Sequence, residues 1–476
     1  MNDPVRDLYS EERYPALSHP VTDPARIAVT ARLAGLQRLP MPQACRVIEL
    51  GCASGHNLLS LAARYPDSDF MGLDYSDTAI RNARRASWEA GLENVLFETA
   101  DLEHWRPSHP CDYLIVHGIF SWVPDTMKSR VLDLCGQLLS ESGIACISYN
   151  TLPGWSLKRD VVPLIRALAG NPAAEGLGGT VESVAASLAE MAGSNTAHAV
   201  NLQAVCQEMV RKGPEILPFD DFAPVCDAVY FGQVVSWAAR RGLRYLGEAN
   251  LRDNLPDGVD PAALERLAPL AVDPILLQQT LDLLSGRTHR VSLFCRQDAP
   301  VEDGTTTAVV LQFAAGHGDV ELPSAAGEWP LISTFRQVLA DSGNSCVPVR
   351  ELMERTAERL SGGWEPTKHS RELAGWILQA ARLGGIELRA DGVEISPEPP
   401  DSPALSPLNL YFAANGLPVV DARHVSCHFP AGHERLLAAM DGSRTKEELA
   451  EIARIDSPEL DFNRWLRHLT DRGVVS

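Results

Sequence analysis

The chain has 476 residues, too many for a single hydrophobic core, so about two to four domains are expected. Its 45% hydrophobic and 22% charged residues are typical of a globular protein, and no apolar run approaches the length of a membrane span. The formal net charge of −20 offers no basic surface for phosphates, which argues against DNA or RNA as a partner.

The ten cysteines lie in apolar runs and form no CxxC pair, which favours buried thiols in a reducing cytoplasm. The first residues, MNDPVRDLYSEERYP, lack a basic region followed by an apolar run. We therefore predict no signal peptide, no membrane association and a cytoplasmic location.

Strand and helix patterns alternate along the first third of the chain. Residues 1–40 are expected to form an N-terminal lid and a helix, the latter at RIAVTARLAGLQRLP. Apolar strand patterns follow at CRVIEL, DFMGLDY, VLFETAD, CDYLIVHG and IACISYN, mostly with helical patterns between them. This alternation predicts a doubly wound, Rossmann-like α/β sheet over residues 41–165.

The rest of the chain has a different character. Residues 166–300 are predicted to hold a helical insertion and an α+β region, and residues 301–330 a linker. Residues 331–476 contain two helical blocks that each end in a short strand pattern, GIELRA and GVVS. Helices followed by a small hairpin predict winged-helix-like modules.

The segment VIELGCASGHN predicts a strand, a glycine turn and the start of a helix. Gly51, Ala53 and His56 occupy the three glycine positions of a dinucleotide fingerprint, so the third glycine is absent. Glu49 would repel a pyrophosphate but suits a ligand that carries an ammonium or a sulfonium. The alternative for Glu49 is a solvated residue at the end of a strand.

Two further acids follow the next two strands. Asp74 lies where an acidic side chain meets ribose hydroxyls in nucleotide-binding sheets; the alternative is a helix N-cap, which Ser76 or Asp77 can also provide. Asp101 is placed for an adenine amino group. Acids at three successive strand ends fit S-adenosylmethionine better than NAD.

The motifs RVIELGCASGHNLL, FMGLDYSDTAI, FETADL and DYLIVHGIFSWVP resemble those of class I S-adenosylmethionine-dependent methyltransferases. More narrowly, HGIFSWVP, SYNTLPGW, RRGLRYLGEANLRDNLP and LDLLSGRTHRVSLFCR resemble a bacterial subfamily that adds a methyltransferase regulatory domain. This subfamily includes the rickettsial protein-lysine methyltransferases that modify outer-membrane protein B. The resemblance implies S-adenosylmethionine as cofactor, a lysine of a protein or peptide as acceptor, and a possible homodimer.

The resemblance also implies a set of cofactor-binding residues. The glycine loop would lie close to the methionine part of S-adenosylmethionine, Asp74 would bind the ribose hydroxyls, and Asp101 would contact the adenine. The full predicted set is Glu49, Gly51, Cys52, Ala53, Gly55, Asn57, Asp74, Tyr75, Ser76, Asp101, Leu102, His117 and Gly118. Ala53 departs from the family, which usually has glycine there, so a close approach of the backbone is in question at that position.

The fourth and fifth strands end in VHGIFSWVPD and SYNTLPGW, and these ends would border the methyl group. We predict Tyr149 and His117 as catalytic residues, with Tyr149 meeting the substrate. His117 is either a base or a residue that packs against the cofactor.

Four more residues are assigned to the acceptor side. Trp122 would line the channel and attract a cation through its ring. Asn150 either orients an acceptor amine or caps the next helix, and Trp155 either contacts the acceptor or anchors its turn. Tyr14, together with His19, would form a lid or a docking arm.

A histidine-rich stretch, RHVSCHFPAGH, brings His424, Cys427, His428 and His433 close in sequence. Their spacing matches no zinc pattern, so we predict an ordinary loop and no metal.

Three functions remain open at this point. The first is N-methylation of lysine side chains of a protein, which rests on the subfamily resemblance and on the aromatic acceptor side. The second is methylation of a small metabolite or peptide natural product. The third is a non-catalytic sensor or scaffold that binds S-adenosylmethionine and uses its C-terminal modules to bind partners.

Overall fold

The computed structural model of the chain describes residues 14–193, 195–255, 261–302, 307–322, 329–360, 362–430 and 432–475. The first thirteen residues of the predicted lid lie outside this set. The predicted helix at 26–40 is shorter than expected and begins earlier, at Pro24, because Asp23 caps it by accepting a hydrogen bond from the Ala25 backbone N–H.

The first ten helices run as follows: α1 Pro24–Leu33, α2 His56–Arg64, α3 Asp77–Glu89, α4 Asp125–Leu138, α5 Ser156–Leu168, α6 Val181–Ala192, α7 Ala197–Lys212, α8 Phe231–Ala239, α9 Pro261–Leu267 and α10 Pro274–Ser285. The C-terminal helices are α11 Pro330–Asp341, α12 Val349–Arg359, α13 Pro366–Arg382, α14 Pro407–Ala414, α15 Glu434–Ala438, α16 Lys446–Asp456 and α17 Phe462–Asp471.

Eight strands form the main sheet: β1 Arg46–Leu50, β2 Asp69–Asp74, β3 Val95–Thr99, β4 Cys111–Val116, β5 Leu139–Leu152, β6 Ala228–Tyr230, β7 Leu243–Glu248 and β8 His289–Arg296. Their order is β3-β2-β1-β4-β5-β8-β7, with β6 paired to the end of β5. Strands β1 to β5 are parallel, whereas β8 runs antiparallel to both β5 and β7. The predicted doubly wound, Rossmann-like sheet is therefore confirmed.

The sheet does not end at residue 165, where the sequence placed the boundary of the first domain. Strand β8 pairs with seven residues of β5, from Ile144 opposite Cys295 to Asn150 opposite His289. The region 166–300 thus contributes three strands to the first sheet. Its helical insertion, α5 to α7, has a separate apolar core built on Ile165, Val184 and Met209.

The predicted linker at 301–330 is partly structured. Strand β9, Ala314–His317, lies between β10, Val347–Pro348, and β11, Ile386–Arg389, in a three-stranded antiparallel sheet. Helices α11 to α13 pack on this sheet. We call the described part of residues 314–391 the winged-helix-like module, after the prediction, which stays a prediction. A second module contains α14 to α17 and the short hairpin of β12, Val419–Val420, and β13, Ser426–Cys427. We call residues 407–475 the C-terminal module.

A buried ion cluster joins the winged-helix-like module to the N-terminal helix. Arg389 Nη2 lies 2.7 Å from Asp23 Oδ2, and Arg389 Nε lies 2.8 Å from Asp391 Oδ1. Arg64, from α2, also pairs with Asp391 at 2.8 Å, and the Tyr65 hydroxyl donates to Asp23. Burial by itself would raise the pKa of Asp23, but Arg389 and Arg64 lower it below its ordinary value.

All ten cysteines are free thiols, and among the described residues no helix is long and apolar enough to cross a membrane.

The ion cluster leads to a stability prediction. Replacing Arg389 by methionine leaves the buried Asp23 without its guanidinium partner, so the free energy of unfolding is expected to fall by about 3–5 kcal/mol. Urea unfolding followed by far-UV circular dichroism measures the change. The double variant Asp23→Asn with Arg389→Met is expected to recover part of the loss, and a single-variant loss below about 1 kcal/mol would contradict a structural role for the pair.

Candidate active site

A cavity of about 560 Å³ opens at the carboxyl ends of β1 to β4, beneath the N-terminal segment that precedes α1. Parallel strands bring the residues that follow them to this one edge. Thirteen of the predicted site residues line the cavity: Tyr14, Glu49, Gly51, Cys52, Ala53, Asn57, Asp74, Tyr75, Asp101, Leu102, His117, Gly118 and Trp122.

The glycine loop after β1 has a left-handed backbone at three positions, with φ of +71° at Gly51, +47° at Ala53 and +75° at Gly55. A side chain on Gly55 would lie 2.7 Å from the Phe97 ring, so this glycine permits close packing of α2 against the sheet. Gly55 does not line the cavity, contrary to its assignment as a cofactor residue. Ala53 adopts the glycine-like conformation with its methyl group in place, and it lines the cavity.

Glu49 is the most unusual residue of the site because its carboxylate is buried but only half satisfied. Asn57 Nδ2 donates to Oε1 at 2.9 Å, whereas Oε2 has no hydrogen-bond partner. Burial raises the pKa of Glu49 to about 7; the Asn57 hydrogen bond opposes this rise and the nearby Asp74 adds to it. The alternative of a solvated strand end is wrong, since Glu49 is 4% exposed.

Asp74 is held by the backbone around it. Its Oδ2 accepts from the Ala53 N–H at 3.0 Å, and its Oδ1 accepts from the Ser76 N–H at 2.8 Å. Burial raises the pKa of Asp74, and these backbone bonds oppose the rise. Ser76 caps α3 and does not line the cavity, so it acts on the site only through the backbone. The carboxylate of Asp74 is thus fixed beside the glycine loop, where it can accept from ligand hydroxyls.

The adenine side of the predicted site is more open. Asp101 is exposed and lines the cavity, and its Oδ1 accepts from the Glu103 backbone N–H at 2.9 Å. Asp101, Glu103 and His104 are the one group among the described residues whose side chains converge as metal ligands do, and all three are exposed.

Two histidines stack inside the cavity. The rings of His19 and His117 lie 4.1 Å apart at 27°. Burial lowers the pKa of His19 to about 4, with His289 adding to the effect, and burial also lowers the pKa of His117, well below its ordinary value. Both imidazoles are therefore neutral near pH 7. A depressed pKa makes His117 a weak base, which favours the packing role over the proton-accepting one.

Three predicted acceptor residues lie elsewhere. Tyr149 is fully buried in the sheet, where its hydroxyl is 2.9 Å from Ser292 Oγ, so it is not placed to meet a substrate. Strand β8 pairs along the edge of β5, and the Tyr149 ring packs in the core with Phe120, Val234 and Phe294. Trp155 packs against Leu152 and anchors the turn. Asn150 is buried, and its backbone N–H donates to Ser121 Oγ. Neither Asn150 nor Trp155 lines the cavity.

Ile119 and His56 are among the lining residues that sequence reasoning missed. Ile119 lies over Gly51, so close that a side chain on that glycine would be 2.6 Å from its Cδ1 atom. His56 is buried, its ring nitrogens have no hydrogen-bond partner, and it stacks on Phe412 of the C-terminal module at 4.1 Å. The sequence signal for His56 was its place at the third position of the glycine fingerprint.

The histidine-rich stretch that was predicted to be an ordinary loop is divided by the structure. His424 is buried against Asn57, and Cys427 is buried in β13. His428 is exposed, and the His433 ring lies beside Trp465.

The residues present fit S-adenosylmethionine. The unpartnered Oε2 of Glu49 provides an acceptor for a cation and repels a pyrophosphate. Asp74 offers carboxylate oxygens for ribose hydroxyls at the end of the neighbouring strand. A ligand that joins an adenosine to an ammonium-bearing chain matches this order of groups.

Comparison with known proteins identifies the domains. Residues 42–177 match the family described as "Methyltransferase domain", and residues 214–296 match the "Predicted methyltransferase regulatory domain". The chain therefore contains a methyltransferase domain, which holds the parallel strands β1 to β5 and most residues of the cavity. More narrowly, the chain joins this domain to a methyltransferase regulatory domain, and part of the matched regulatory region completes the main sheet as β7 and β8.

Individual relatives match parts of the chain. The uncharacterized protein RP789 of Rickettsia prowazekii is 28% identical over 62% of this chain and 53% of its own length. A trans-aconitate 2-methyltransferase of Methylobacterium nodulans is 32% identical over 29% of this chain and 49% of its own length. The chain thus spans about half the length of these curated relatives.

The likeness to a solved structure extends over nearly the whole fold. PKMT2 from Rickettsia typhi superposes with a TM-score of 0.85 at 18% identity, covering 97% of this chain and 100% of that one. The same protein was also solved in complex with AdoHcy, and that structure superposes with a TM-score of 0.81 at 19% identity, covering 94% of this chain and 92% of that one.

The raised pKa of Glu49 predicts a pH dependence of cofactor binding. A cationic ligand needs the ionised carboxylate, which is present above pH 7 and is lost as the pH falls through the pKa of about 7. Between pH 8 and pH 6 the dissociation constant for S-adenosylmethionine is expected to rise about tenfold. Isothermal titration calorimetry at several pH values measures it.

Two variants serve as references for this experiment. Glu49→Gln is expected to bind weakly and without the transition near pH 7, which separates Glu49 from titration of the ligand's own amino group. Asp74→Asn is expected to bind about tenfold more weakly because a charged acceptor is lost, but to keep the transition. If the wild-type affinity changed no more between pH 6 and pH 8 than the affinity of Glu49→Gln, the role of Glu49 in binding the cationic cofactor would be refuted.

Proposed function

We propose that the protein is an S-adenosylmethionine-dependent N-methyltransferase that methylates lysine side chains of a protein. The observation that carries the proposal is a cavity with a buried, half-satisfied carboxylate at its cofactor end and aromatic rings at its other end. PKMT2, which shares the fold over nearly its full length, was solved with AdoHcy, the product that methyl transfer leaves behind.

Bound S-adenosylmethionine would supply an electrophilic methyl group on a sulfonium. Glu49 would hold the cationic chain and Asp74 the ribose, while Asp101 and Leu102 would border the adenine. Orientation and exclusion of water are the main contributions that a protein makes to an in-line displacement. The stacked His19 and His117 would exclude water beside the methyl group.

The acceptor end has aromatic walls. Tyr14 and Trp122 line the cavity, and the Phe219 ring lies edge-on to Tyr14 at 5.5 Å. The Trp122 indole N–H donates to the Asp220 carbonyl oxygen at 3.1 Å, which fixes the ring. Burial raises the pKa of Tyr14 to about 12, and the negative charge of Asp220 adds to the rise. Aromatic faces and a negative field attract an ammonium.

A charged cluster lies behind this wall. The ammonium groups of Lys158 and Lys212 pair with the carboxylates of Glu208, Asp220 and Asp221 at distances of 2.6–3.8 Å. Three carboxylates for two ammoniums leave a negative excess beside the acceptor end. This excess supports a cationic acceptor, such as a lysine side chain, over an anionic metabolite.

The amine must lose a proton before it accepts the methyl group. A lysine has an unperturbed pKa near 10.4, and burial favours its neutral form, as it does for the cavity histidines. The nitrogen lone pair would then form the new N–C bond as the S–C bond breaks, leaving a thioether. The proton released from the ammonium would pass to solvent.

Transfer of label tests the acceptor. The purified protein is incubated with methyl-labelled S-adenosylmethionine and a lysate of the source cell, and the labelled protein fraction is hydrolysed for amino-acid analysis. Label is expected in methylated lysine. Label confined to small molecules would support the metabolite alternative, and cofactor binding without any transfer would support the sensor alternative.

Matched variants sharpen the same experiment. Trp122→Leu removes an aromatic wall and is expected to lower kcat/KM for the protein acceptor about tenfold while cofactor affinity is unchanged. Trp88→Leu, at an exposed position on α3, is the control and is expected to behave like the wild type. Asp74→Asn is expected to raise the KM for S-adenosylmethionine about tenfold, because cofactor binding is weakened.

We also propose that the protein forms a homodimer, by analogy with the resembling lysine methyltransferases. Exposed apolar side chains on and beside α10, namely Val272, Leu276, Leu283 and Leu284, support an interface there. Light scattering is expected to give twice the mass of the chain, and Leu283→Glu to give a monomer. A monomeric wild type would contradict this proposal.

A further inference from the structure

The side-chain amide of Asn57 is the point where three distant segments meet. Its Nδ2 donates to Glu49 Oε1 at 2.9 Å. Its Oδ1 accepts from the His19 backbone N–H at 2.9 Å and lies 2.8 Å from His424 Nε2. One amide therefore connects the end of β1, the segment over the cavity and the C-terminal module.

The chemistry of these groups fixes the direction of each bond. An ionised Glu49 can only accept, so the NH₂ group of Asn57 must face it. The amide oxygen then faces His424, and an oxygen can only accept, so His424 Nε2 carries the proton. Burial lowers the pKa of His424 to about 3, so its imidazole is neutral and presents this single N–H near pH 7.

His424 is held in an uncommon backbone conformation. Its φ is +64°, a left-handed value that side chains other than glycine rarely adopt, and the residue is buried. The turn is closed around Asp421, whose carbonyl oxygen accepts from the His424 N–H at 3.0 Å. The Asp421 carboxylate accepts from the backbone N–H groups of Arg423 and Val425 and pairs with Arg472 at 2.6 Å.

Two further contacts bind the C-terminal module to the same edge of the cavity. The Phe412 ring stacks on His56, which lines the cavity directly after the glycine loop. Ser426 Oγ accepts from the Ser18 backbone N–H at 2.9 Å, next to His19. The module thus contacts both sides of the cofactor end.

We propose that His424 is a positioning residue for the cofactor site, and that the C-terminal module completes that site by holding Asn57 against Glu49. The proposal rests on the proposed function, since it concerns the same cofactor. Without His424, the Asn57 oxygen keeps only the His19 backbone N–H and the more distant Thr22 hydroxyl as donors, so the amide is held less firmly and its donation to Glu49 is weakened. A partner that displaced the module would weaken cofactor binding, and bound cofactor would favour the docked module by the same factor.

A titratable group close to Glu49 or His424 that changed charge near pH 7 would add its own pH dependence to cofactor binding. Glu49 faces Asp74, Cys52 and Cys146, and burial raises the pKa of both thiols. His424 faces Asp23, His19, His56 and Arg389. Burial lowers the pKa of His19 to about 4 and that of His56 to about 3, so neither histidine changes charge near pH 7.

The test is calorimetric binding of S-adenosylmethionine to the full-length protein between pH 6 and pH 8.5. In the His424→Ala variant we expect the dissociation constant at pH 8 to rise about tenfold. We also expect the midpoint of the pH dependence to move up by about one pH unit, because Glu49 loses a well-oriented donor. His424→Gln, whose amide can donate to Asn57, is expected to restore both values in large part.

His468→Ala supplies the matched control, since this histidine is exposed in the same module, and it is expected to bind like the wild type. Circular dichroism at each pH verifies that the variants are folded. A module that was merely loosened would change affinity at every pH alike and leave the midpoint in place, which would overturn the proposal. Binding by His424→Ala that matched the wild type would also overturn the proposal. If the wild type itself failed to bind the cofactor, the proposed function would fail instead.

Discussion

A carboxylate that is buried and half satisfied is the constraint around which the site is built. Glu49 lies on the central strand of the parallel part of the main sheet, 4% exposed, with one oxygen bonded to Asn57 and the other without a partner. A buried charge of this kind is costly unless a cation or a donor meets it. The glycine loop, the segment over the cavity and the C-terminal module surround the Glu49–Asn57 pair, and in the proposed function the missing partner comes from the ligand.

Contacts between distant segments join the parts of the chain into a continuous unit. Strand β8 pairs with β5, the insertion α5 to α7 supplies Lys158, Glu208 and Lys212 of the charged cluster, and the Asp23–Arg389 pair attaches the winged-helix-like module to α1. Asp23 is the N-cap of helix α1, so the helix cap and the attachment share one carboxylate. These contacts hold the modules against the domain that contains the cavity.

Much of the site follows from local pattern. Residues directly after parallel strands must meet at one sheet edge, so Glu49, Asp74 and Asp101 could be placed together from sequence alone. Tyr149 and Gly55 could not be placed in this way. The Tyr149 side chain is buried where β8, about 140 residues further on, pairs along β5, and Gly55 makes room for the Phe97 ring. These outcomes depend on contacts between distant segments.

The sequence by itself determined the alternating sheet, the glycine turn and the acidic strand ends, because hydrophobic period and strand order act over short distances. Only the tertiary structure decided that the predicted linker supplies strand β9 and that the histidine-rich loop reaches Asn57. His424 lies 367 residues from Asn57, a separation over which no local pattern carries information. The packing of complete modules, set by buried ion pairs and rings, brought these two residues together.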